Sequence, residues 1–355
     1  MGNKVLMKGN EALAEAAIRA GCRHFFGYPI TPQTEVSAYM AKKMPKIGGT
    51  FLQAESEVSA INMVYGAGGA GVRVMTSSSS PGISLKQEGI SYIAGADVPC
   101  VIVNIVRGGP GLGGIQPAQS DYFQATKGGG HGDYHLVVLA PSSIQEMVDL
   151  TADAFDIGDK YRCPVMIMGD GMLGQMMEPV EFKDTDVSDL PEKEWATSGT
   201  GMKRKKNVIN SLFIEAAELE DLVLERQQRY DAIAKNEVRY EAIDTEDADI
   251  ILVAYGTTAR IAKTAMAKAK EQGYKVGIIR PITLWPFPFE AFEKALASGG
   301  KKTFLTVEMS MGQMVEDVRL AVNGRADVEF FGRTGGIVPT PKEILAKIEE
   351  IGGAK

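Results

Sequence analysis

The sequence predicts an α/β protein built from two doubly wound domains. Three observations support this prediction. A chain of 355 residues is too long for one ordinary domain and long enough for two. Hydrophobic residues make up 45% of the chain and charged residues 23%, which is an ordinary globular composition. Strand-like and helix-like segments also alternate along most of the chain, as in parallel α/β sheets.

The first domain is expected to span residues 1–182. Residues 10–20 are rich in alanine and favour a helix, and the aromatic run 24–28 that follows ends at a proline. Residues 72–75 form a short β-branched strand. A run of hydroxyl side chains comes next, and Ser80 is a candidate N-cap because the proline after it fits a first helical turn.

The rest of the first domain continues the alternation. Residues 99–106, PCVIVNIV, form a nearly continuous apolar run of strand length. Such a run is typical of a strand that is buried on both faces of a parallel sheet. Residues 136–139 and 164–168 are two further strands, and the Pro-Ser-Ser sequence at 141–143 predicts the start of the helix between them.

A charged segment, residues 183–245, is interpreted as a connecting arm. It contains a helical stretch near 215–240 whose charges are best explained as a solvated face. A second α/β domain is expected over residues 246–355. Its predicted elements are a strand at 249–256, a helix at 257–272, strands at 274–281 and 301–309, a helix at 313–322 and a strand at 328–332.

Charge and hydropathy exclude two classes of function. The chain has 38 basic and 45 acidic side chains, and its net charge of −7 has the wrong sign for a nucleic-acid-binding protein. No apolar run approaches the about 20 residues that span a bilayer, and the N-terminal sequence lacks a signal-peptide core. We therefore expect a cytoplasmic protein with no nucleic-acid or membrane partner.

Cysteine and histidine are too sparse to form a metal or redox centre. Cys22, Cys100 and Cys163 are widely spaced, so neither a disulfide framework nor a Cys-x-x-Cys site can be assembled. The histidines, at positions 24, 131 and 135, form no His-Glu-x-x-His pattern. No metal site is expected on this chain, and any iron–sulfur cluster must lie on another one.

Two glycine-rich motifs resemble cofactor sites but are interpreted otherwise. Residues 66–71, GAGGAG, match the dinucleotide pattern, yet they follow a helical segment and precede a strand, which is the reverse of the required order. Close packing of a helix on a strand is the favoured role. Residues 169–171, Gly-Asp-Gly, resemble the opening of a motif that binds magnesium and a diphosphate. The next asparagine is Asn207, so a strand-end turn is predicted instead.

Three loops are expected to converge where parallel strands end, which is where open α/β sheets bind ligands. They are residues 27–32, 76–80 and 107–111. The first holds the hydroxyl of Thr31 between two prolines, and the second is a run of hydroxyls. The third places the cation of Arg107 in a glycine-rich loop that suits a carboxylate. Glu57, at the start of a small and apolar helical segment, supplies an acid.

Each of these residues also has a purely structural explanation. Thr31 and the serines can serve only to cap the helices that follow them, and Arg107 can pair with a surface carboxylate. Glu57 is harder to explain in this way, because an unpaired carboxylate is costly to bury. The residues alone leave both explanations open.

Several sequence blocks resemble a known family. GNEALAEAAIRAGCRHFFGYPITPQTE, QAESEVSAINMVYGA and TSSSSPGISL are similar, in this order, to the pyrimidine-binding domain of the 2-oxoacid:ferredoxin oxidoreductases. RPITLWPFP and VEMSMGQM extend the resemblance through the second half. The chain most resembles the subunit of the 3-methyl-2-oxobutanoate (branched-chain) enzymes, followed by the 2-oxoglutarate enzymes. The implied fold is a pyrimidine-type thiamine-diphosphate-binding domain followed by a transketolase C-terminal-like domain.

The resemblance also implies roles for individual residues. Glu57 matches the family glutamate that bonds the aminopyrimidine nitrogen of thiamine diphosphate, and Thr31 and Arg107 match positions that hold the 2-oxoacid. These three are the expected catalytic residues. The expected cofactor-binding residues are Glu57, Tyr28, Pro29, Ile30, Thr76, Ser77, Ser78 and Ser79. After Arg107, the sequence GGPGLGGIQPAQSD departs from the pyruvate members. The resemblance therefore leaves the identity of the substrate open but not the type of reaction.

The implied activity is the oxidative decarboxylation of a 2-oxoacid, with 3-methyl-2-oxobutanoate favoured, to an acyl-coenzyme A and carbon dioxide. Electrons would pass to ferredoxin through iron–sulfur clusters on partner subunits. Because this chain lacks a magnesium and diphosphate motif, a partner subunit is expected to bind Mg²⁺ and the tail of thiamine diphosphate. The expected complex also contains a gamma-type and a ferredoxin-like subunit, and the chain is active only within it.

Other functions stay open. A subunit of a 2-oxoglutarate or pyruvate ferredoxin oxidoreductase would share these motifs. A non-oxidative transketolase-like subunit would share the order of the two domains. A scaffold subunit that only positions its partners belongs to a different class, and its complex would keep full activity after the replacement of Glu57.

Overall fold

The computed structural model describes residues 4–183, 190 and 192–353. Residues 184–189 and 191, which belong to the predicted connecting arm, lie outside the described residues. The chain is an α/β protein, as the sequence predicts. Over the described part, no helix is both long enough and apolar enough to cross a bilayer.

Strands and helices alternate along the chain. The strands are β1 (Val5–Lys8), β2 (His24–Gly27), β3 (Thr50–Gln53), β4 (Val74–Ser78), β5 (Cys100–Val106), β6 (Val137–Leu139), β7 (Pro164–Asp170), β8 (Met177–Val180), β9 (Tyr240–Ile243), β10 (Ile250–Val253), β11 (Val276–Pro281), β12 (Thr283–Trp285), β13 (Thr303–Glu308) and β14 (Asp327–Gly332). The helices are α1 (Gly9–Arg19), α2 (Thr34–Lys43), α3 (Glu57–Gly69), α4 (Ser80–Gly95), α5 (Tyr122–Thr126), α6 (Ile144–Tyr161), α7 (Gly171–Gln175), α8 (Ala216–Asn236), α9 (Gly256–Glu271), α10 (Phe289–Ala297), α11 (Met314–Val322) and α12 (Pro341–Gly352). A 3₁₀ turn, Met44–Ile47, follows α2.

Two large sheets organise these elements. The first has the strand order β12-β6-β7-β5-β4-β2-β3, and all neighbours are parallel except β12 and β6. The second has the order β14-β13-β10-β11-β9, and only β9 is antiparallel to its neighbour. Strands β1 and β8 form a separate antiparallel pair. Parallel strands joined by helices confirm the predicted doubly wound arrangement.

Strand β5 shows why the first sheet is covered on both faces. All seven of its residues are buried, as the run PCVIVNIV predicts. Val101, Val103 and Ile105 belong to the cluster that contains α1, α2 and α6, whereas Ile102 and Val106 belong to the cluster that contains α3 and α4. Side chains alternate between the faces of a strand, so an uninterrupted apolar run requires a helical layer on each side.

Strand β4 lies further along the chain than the sequence predicts. It was expected at 72–75, but it spans Val74–Ser78, so its last three residues carry hydroxyls and are part of the sheet. Parallel pairing with β5 extends to Ser78, which lies opposite Asn104. The hydroxyl run is therefore the end of a strand and not a loop, because the neighbouring strand continues beside it.

The predicted N-cap at Ser80 is wrong by one residue. Ser79 has the extended N-cap conformation, and Ser80 is the first residue of α4. The Ser80 hydroxyl contacts the backbone of Arg107, 27 residues further along the chain, accepting from its N–H and donating to its carbonyl, both at 3.1 Å. This contact with the end of β5 uses the hydroxyl that was expected to cap the helix.

The two halves of the chain are interlocked. Strand β12 falls in the predicted second domain but pairs with β6 of the first sheet, and β9 falls in the predicted arm but pairs with β11 of the second sheet. The rings of Tyr122 and Tyr255 lie 6.0 Å apart across the shared core. Arg280 pairs with Glu146 at 2.7 Å. The boundaries at 182 and 245 stay predictions.

Two other predictions are confirmed. Helix α3 ends at Gly69 and is followed by β4, so the GAGGAG motif has the helix-to-strand order that excludes a dinucleotide site. A Cβ atom on Gly68 would lie 2.5 Å from Val98 Cγ1, which requires the close packing predicted there. Helix α8 of the arm exposes most of its side chains and buries Arg226, Tyr230 and Ile233.

Candidate active site

The predicted site residues meet at one edge of the first sheet. Strands β3, β2, β4 and β5 are parallel neighbours, so their carboxyl ends lie at the same edge. Glu57 follows β3, the loop 28–32 follows β2, Ser79 follows β4 and Arg107 follows β5. This edge is where open α/β sheets bind ligands. The sequence therefore predicted correctly that these segments converge.

Glu57 is a buried carboxylate that has no bonding partner within residues 4–183, 190 and 192–353. It is the first residue of α3, behind Ser56, whose hydroxyl caps the helix by accepting from Ser59 N at 3.2 Å. Its side chain is 6% exposed, and no hydrogen bond or ion pair joins it to another described residue. A Cβ atom on Gly82 would lie 2.6 Å from Glu57 Oε1, so only glycine leaves room for the carboxylate. Such a group is costly to bury unless a ligand completes its bonding.

The hydroxyls at the end of β4 are buried beside Glu57. Ser77 donates to Gln33 Oε1, and the Cβ position of Gly82 lies 2.1 Å from Ser78 Oγ, on the same side as the Glu57 carboxylate. The hydroxyl oxygens of Ser78 and Ser79 find no hydrogen-bond partner in the described part of the chain. Buried hydroxyls are rarely left unpaired, so these two point to a polar ligand.

Arg107 is a buried cation that is held in place but not neutralised. Its Nη1 donates to Thr31 O at 2.9 Å and its Nη2 to Leu112 O at 3.0 Å. The residue is 7% exposed, and no carboxylate of a described residue lies within ion-pair distance. Its Nε has no partner among the same residues. The alternative role of Arg107 was an ion pair with a surface carboxylate. Among the described residues, Arg107 forms no such pair.

The loop after β2 is partly open to solvent. Tyr28 and Ile30 are half-buried, whereas Pro29 and Thr31 are exposed. The N-cap of the next helix, α2, is Gln33, so Thr31 does not serve as that cap. Thr31 presents its side chain at the surface while its carbonyl accepts from Arg107.

Two buried residues that were not predicted from the sequence hold this loop by hydrogen bonds to its backbone carbonyls. Gln33, fully buried, donates from Nε2 to Tyr28 O at 3.2 Å and accepts from Ser77, which joins the loop to β4. Asn10, also fully buried, donates to Pro32 O at 2.8 Å. The available signal for Asn10 was a polar residue at the start of an alanine-rich helix.

A mainly apolar cavity of about 560 Å³ adjoins Thr31. It lies between the first sheet and a loop of the second half. Its lining residues are Thr31, Pro32, Ile115, Gln116, Pro117, Gly171, Met172, Gln175, Met176, Gly336 and Val338. Since none of these residues is charged, the cavity suits an apolar group better than a second carboxylate.

The Gly-Asp-Gly motif lies at the end of a strand, as predicted. Strand β7 ends at Asp170, whose carboxylate caps α7 by accepting from Met172 N at 2.9 Å and Leu173 N at 3.2 Å. Burial raises the pKa of Asp170. One of its two oxygens, Oδ1, accepts both of these bonds. No cluster of three or more His, Cys, Asp or Glu side chains able to hold a metal ion occurs in the described residues.

Exposed apolar side chains border the edge where these residues meet. Val58 follows Glu57 on α3, Leu85 lies on α4 and Leu112 lies in the loop after β5. Their exposed fractions are 44%, 54% and 82%. Apolar side chains grouped around a ligand-binding edge are typical of a surface that another protein covers.

Models of one protein family match most of the chain. The family described as "Pyruvate flavodoxin/ferredoxin oxidoreductase, thiamine diP-bdg" matches residues 15–245. The family described as "Pyruvate:ferredoxin oxidoreductase core domain II" matches residues 248–344. The first of these is a thiamine-diphosphate-binding domain, which agrees with the predicted cofactor.

Relatives with assigned activities cover nearly the same length. The ketoisovalerate oxidoreductase subunit VorB of Methanothermobacter marburgensis is 53% identical, over 98% of both chains. The 2-oxoglutarate synthase subunit KorA of Methanothermobacter thermautotrophicus is 38% identical, over 98% of this chain and 99% of that one. The pyruvate synthase subunit PorA of Pyrococcus horikoshii is 30% identical, over 87% and 82%.

Solved structures give the same result. The 2-oxoglutarate:ferredoxin oxidoreductase of Magnetococcus marinus, with 2-oxoglutarate, coenzyme A and succinyl-CoA bound, matches with a TM-score of 0.87 and 28% identity. The match covers 98% of this chain and 65% of that one. A split-gene transketolase, an inactive beta4 tetramer, matches over 97% of both chains with a TM-score of 0.60 and 13% identity, which shows the shared fold alone. The chain therefore belongs to the 2-oxoacid:ferredoxin oxidoreductases, as a thiamine-diphosphate-binding subunit of these enzymes.

Proposed function

We propose that this chain is the subunit of a branched-chain 2-oxoacid:ferredoxin oxidoreductase that contributes the pyrimidine wall of a shared thiamine diphosphate site. The reaction is 3-methyl-2-oxobutanoate plus coenzyme A to the acyl-coenzyme A and carbon dioxide, with two electrons passed to ferredoxin. The observation that carries this proposal is the Glu57 carboxylate beside the hydroxyls of Ser78 and Ser79, all three without a partner among the residues that the structure describes. They lie at the carboxyl edge of the sheet in a chain that is 53% identical to a ketoisovalerate oxidoreductase subunit.

The residues present fit the aminopyrimidine of thiamine diphosphate. When bound, this cofactor supplies the carbon nucleophile and the electron sink for decarboxylation. Glu57 would share a proton with the pyrimidine ring nitrogen, and Ser78 and Ser79 would pair their hydroxyls with its polar edge. Tyr28, Pro29, Ile30, Thr76 and Ser77 would complete the wall of the site.

Arg107 and Thr31 are proposed to hold the 2-oxoacid. The guanidinium is fixed by Thr31 O and Leu112 O, yet its charge is not balanced by a described carboxylate. A charge-assisted bond to the substrate carboxylate would supply that balance. The exposed Thr31 hydroxyl would then face the substrate next to it.

The apolar cavity supports a branched-chain substrate over 2-oxoglutarate. An isopropyl group can lie against its apolar lining, whereas the second carboxylate of 2-oxoglutarate would find no cation among the residues that line it. The identities to relatives point the same way, at 53% for a ketoisovalerate subunit and 38% for a 2-oxoglutarate subunit.

Substitution of Met172 by lysine is expected to shift this preference. Met172 lines the cavity, and a lysine there would place a cation next to a second carboxylate. The ratio of kcat/KM for 2-oxoglutarate to that for 3-methyl-2-oxobutanoate should rise at least about tenfold, since a charge-assisted bond is worth ~1.5–3 kcal/mol. Met177→Lys is the matched control, because Met177 is exposed and outside the cavity. An equal change of this ratio in both variants would show that the cavity is not part of the substrate site.

The tail of the cofactor is proposed to bind a partner subunit. Asp170 is occupied as a helix cap, and the exposed side chains of Val58, Leu85 and Leu112 border the site. All three cysteines are buried and free, and burial raises the pKa of Cys22 to about 12. We therefore assign Mg²⁺ to the tail-binding subunit and the iron–sulfur clusters to partner chains, which include a gamma-type and a ferredoxin-like subunit. The expected location of this complex is the cytoplasm.

The isolated chain should bind thiamine diphosphate weakly and reduce no electron acceptor. It holds one wall of the site and no cluster of its own. Calorimetry on the purified subunit, with and without magnesium, measures the first expectation, and a viologen assay measures the second. Tight magnesium-dependent binding without a partner would show that residues 169–171 hold the metal and the diphosphate tail after all.

The proposed function is tested by purifying the native complex and assaying it against a panel of 2-oxoacids with coenzyme A and a viologen acceptor. We expect 3-methyl-2-oxobutanoate to give the highest kcat/KM. Preference for 2-oxoglutarate or pyruvate would reassign the substrate within the family. A complex without iron that transfers two-carbon units instead would favour the transketolase-like alternative.

A further inference from the structure

The loop after β5 carries few side chains near its tip. Residues 108–114 are glycine at every position except Pro110 and Leu112. The leucine is 82% exposed, and glycines flank it on both sides, so no neighbour in the loop can cover it. The loop therefore presents one apolar side chain to whatever adjoins the carboxyl edge of the first sheet.

Backbone contacts close the base of this loop. Gly108 N donates to Gln116 O at 3.0 Å, and Gly114 N donates to Gly108 O at 2.9 Å. Gly113 has a φ of +60°, and a Cβ atom there would lie 1.8 Å from Gly108 O, so only glycine allows this close approach. These contacts fold the chain back on itself and leave Leu112 at the tip.

Leu112 joins the surface of the loop to the proposed substrate cation. Its side chain is exposed, but its carbonyl accepts from Arg107 Nη2 at 3.0 Å. The guanidinium also donates to Thr31 O at 2.9 Å, and its Nε has no partner among the described residues. One of these two bonds to backbone carbonyls therefore depends on where the tip of the loop lies.

We propose that Leu112 is a positioning residue that couples the docking of the tail-binding partner subunit to the orientation of Arg107. The partner covers the leucine side chain and thereby holds its carbonyl against the guanidinium. This inference rests on the proposed function, because it takes Arg107 as the group that binds the 2-oxoacid. It adds that the substrate-binding cation reaches its full affinity only in the assembled complex.

Two observations favour the tail-binding subunit as the occupant of this surface. Val58, next to Glu57 on α3, and Leu85 on α4 are also exposed apolar side chains that border the same edge. The described residues contain no cluster of His, Cys, Asp or Glu side chains that could hold the metal ion of the diphosphate. Under the proposed function, the subunit that supplies this ion has to meet the chain at this edge, because one cofactor joins the two.

Initial-rate kinetics of the assembled complex that carries Leu112→Ala test this inference. Alanine removes the apolar contact and keeps the carbonyl. The Michaelis constant should rise about three- to tenfold for every 2-oxoacid, since a loosened bond costs no more than the loss of one charge-assisted hydrogen bond. The value of kcat should change much less. Leu112→Met keeps an apolar side chain of similar volume and should restore the Michaelis constant.

A double-mutant cycle shows whether Leu112 acts through Arg107. In the Arg107→Ala background, Leu112→Ala should change the Michaelis constant by less than about twofold, which is the usual scatter between independent sites. A full further increase in the double variant would overturn the inference, because the leucine would then act independently of the arginine. An increase confined to 3-methyl-2-oxobutanoate would also overturn it, since Leu112 would then contact the side chain of the substrate.

Leu320→Ala is the matched control. Leu320 is 63% exposed near the C-terminal end of α11, so its truncation should leave both kinetic constants unchanged. Leu112→Val is a smaller truncation that serves if the alanine variant does not assemble. A wild-type Michaelis constant in the assembled Leu112 variant overturns the inference. A wild-type Michaelis constant in the Arg107→Ala complex would instead contradict the proposed substrate site.

Discussion

The complex that carries Glu57→Gln is expected to turn over about 10²–10⁴ times more slowly than the wild type, the usual contribution of a positioned acid or base. Glutamine keeps the size of the side chain and can still hydrogen-bond, but it cannot exchange a proton with the pyrimidine. Glu57 is buried, and none of the other residues expected to bind the cofactor carries a carboxylate that could replace it. Steady-state kinetics with saturating cofactor measure the effect.

Two controls separate this effect from misfolding. The Glu57→Gln complex should keep its subunit composition and iron content, because the substitution preserves the shape of the buried side chain. Glu55→Gln should have nearly wild-type turnover, because Glu55 precedes α3 and is exposed to solvent. Equal activity of the Glu57→Gln complex and the wild type would favour a scaffold role for the subunit.

The Arg107→Ala complex should show a Michaelis constant at least about tenfold higher for every 2-oxoacid. A charge-assisted bond to a carboxylate is worth ~1.5–3 kcal/mol, and each ~1.4 kcal/mol is a factor of ten in binding. The effect should be similar across substrates, because the group that Arg107 binds is common to all of them. Initial-rate measurements with each 2-oxoacid test this expectation.

Arg107 also donates to Thr31 O and Leu112 O. Its removal is therefore expected to free two loops in addition to weakening substrate binding. Arg107→Lys keeps the charge and should have an intermediate Michaelis constant. Arg73→Ala is the matched control, because Arg73 is equally buried but pairs with Asp156 and Asp159 away from the site. A wild-type Michaelis constant in the Arg107→Ala complex would remove Arg107 from the substrate site.

Patterns that are local in the sequence predicted much of the fold. The apolar run at β5 predicted a strand buried on both faces, and the order of helix and strand around GAGGAG excluded a dinucleotide site. Because parallel strands align their carboxyl ends, the strand-like runs before the two loops were enough to expect Thr31 and Arg107 at one edge. Family resemblance then gave Glu57 its expected role, and that role stays a prediction.

Features that depend on distant contacts could not be predicted in this way. Ser77 bonds Gln33 across 44 residues of sequence, and β12 leaves its own half to pair with β6. Lys86 of α4 is fully buried and donates to Thr76 Oγ1 on β4. A lysine is ordinarily solvated, so its burial follows from the packed structure and not from any pattern in the sequence.

The most direct test of the central claim is the rate of proton exchange at the thiazolium carbon of thiamine diphosphate in the assembled complex. Exchange into deuterated buffer, stopped by acid quench and followed by magnetic resonance, isolates the step that Glu57 is proposed to promote. The account predicts exchange about 10²–10⁴ times slower in the Glu57→Gln complex than in the wild type, with Glu55→Gln close to the wild-type rate. Equally fast exchange in the wild-type and Glu57→Gln complexes would show that Glu57 is a structural carboxylate and would contradict the account.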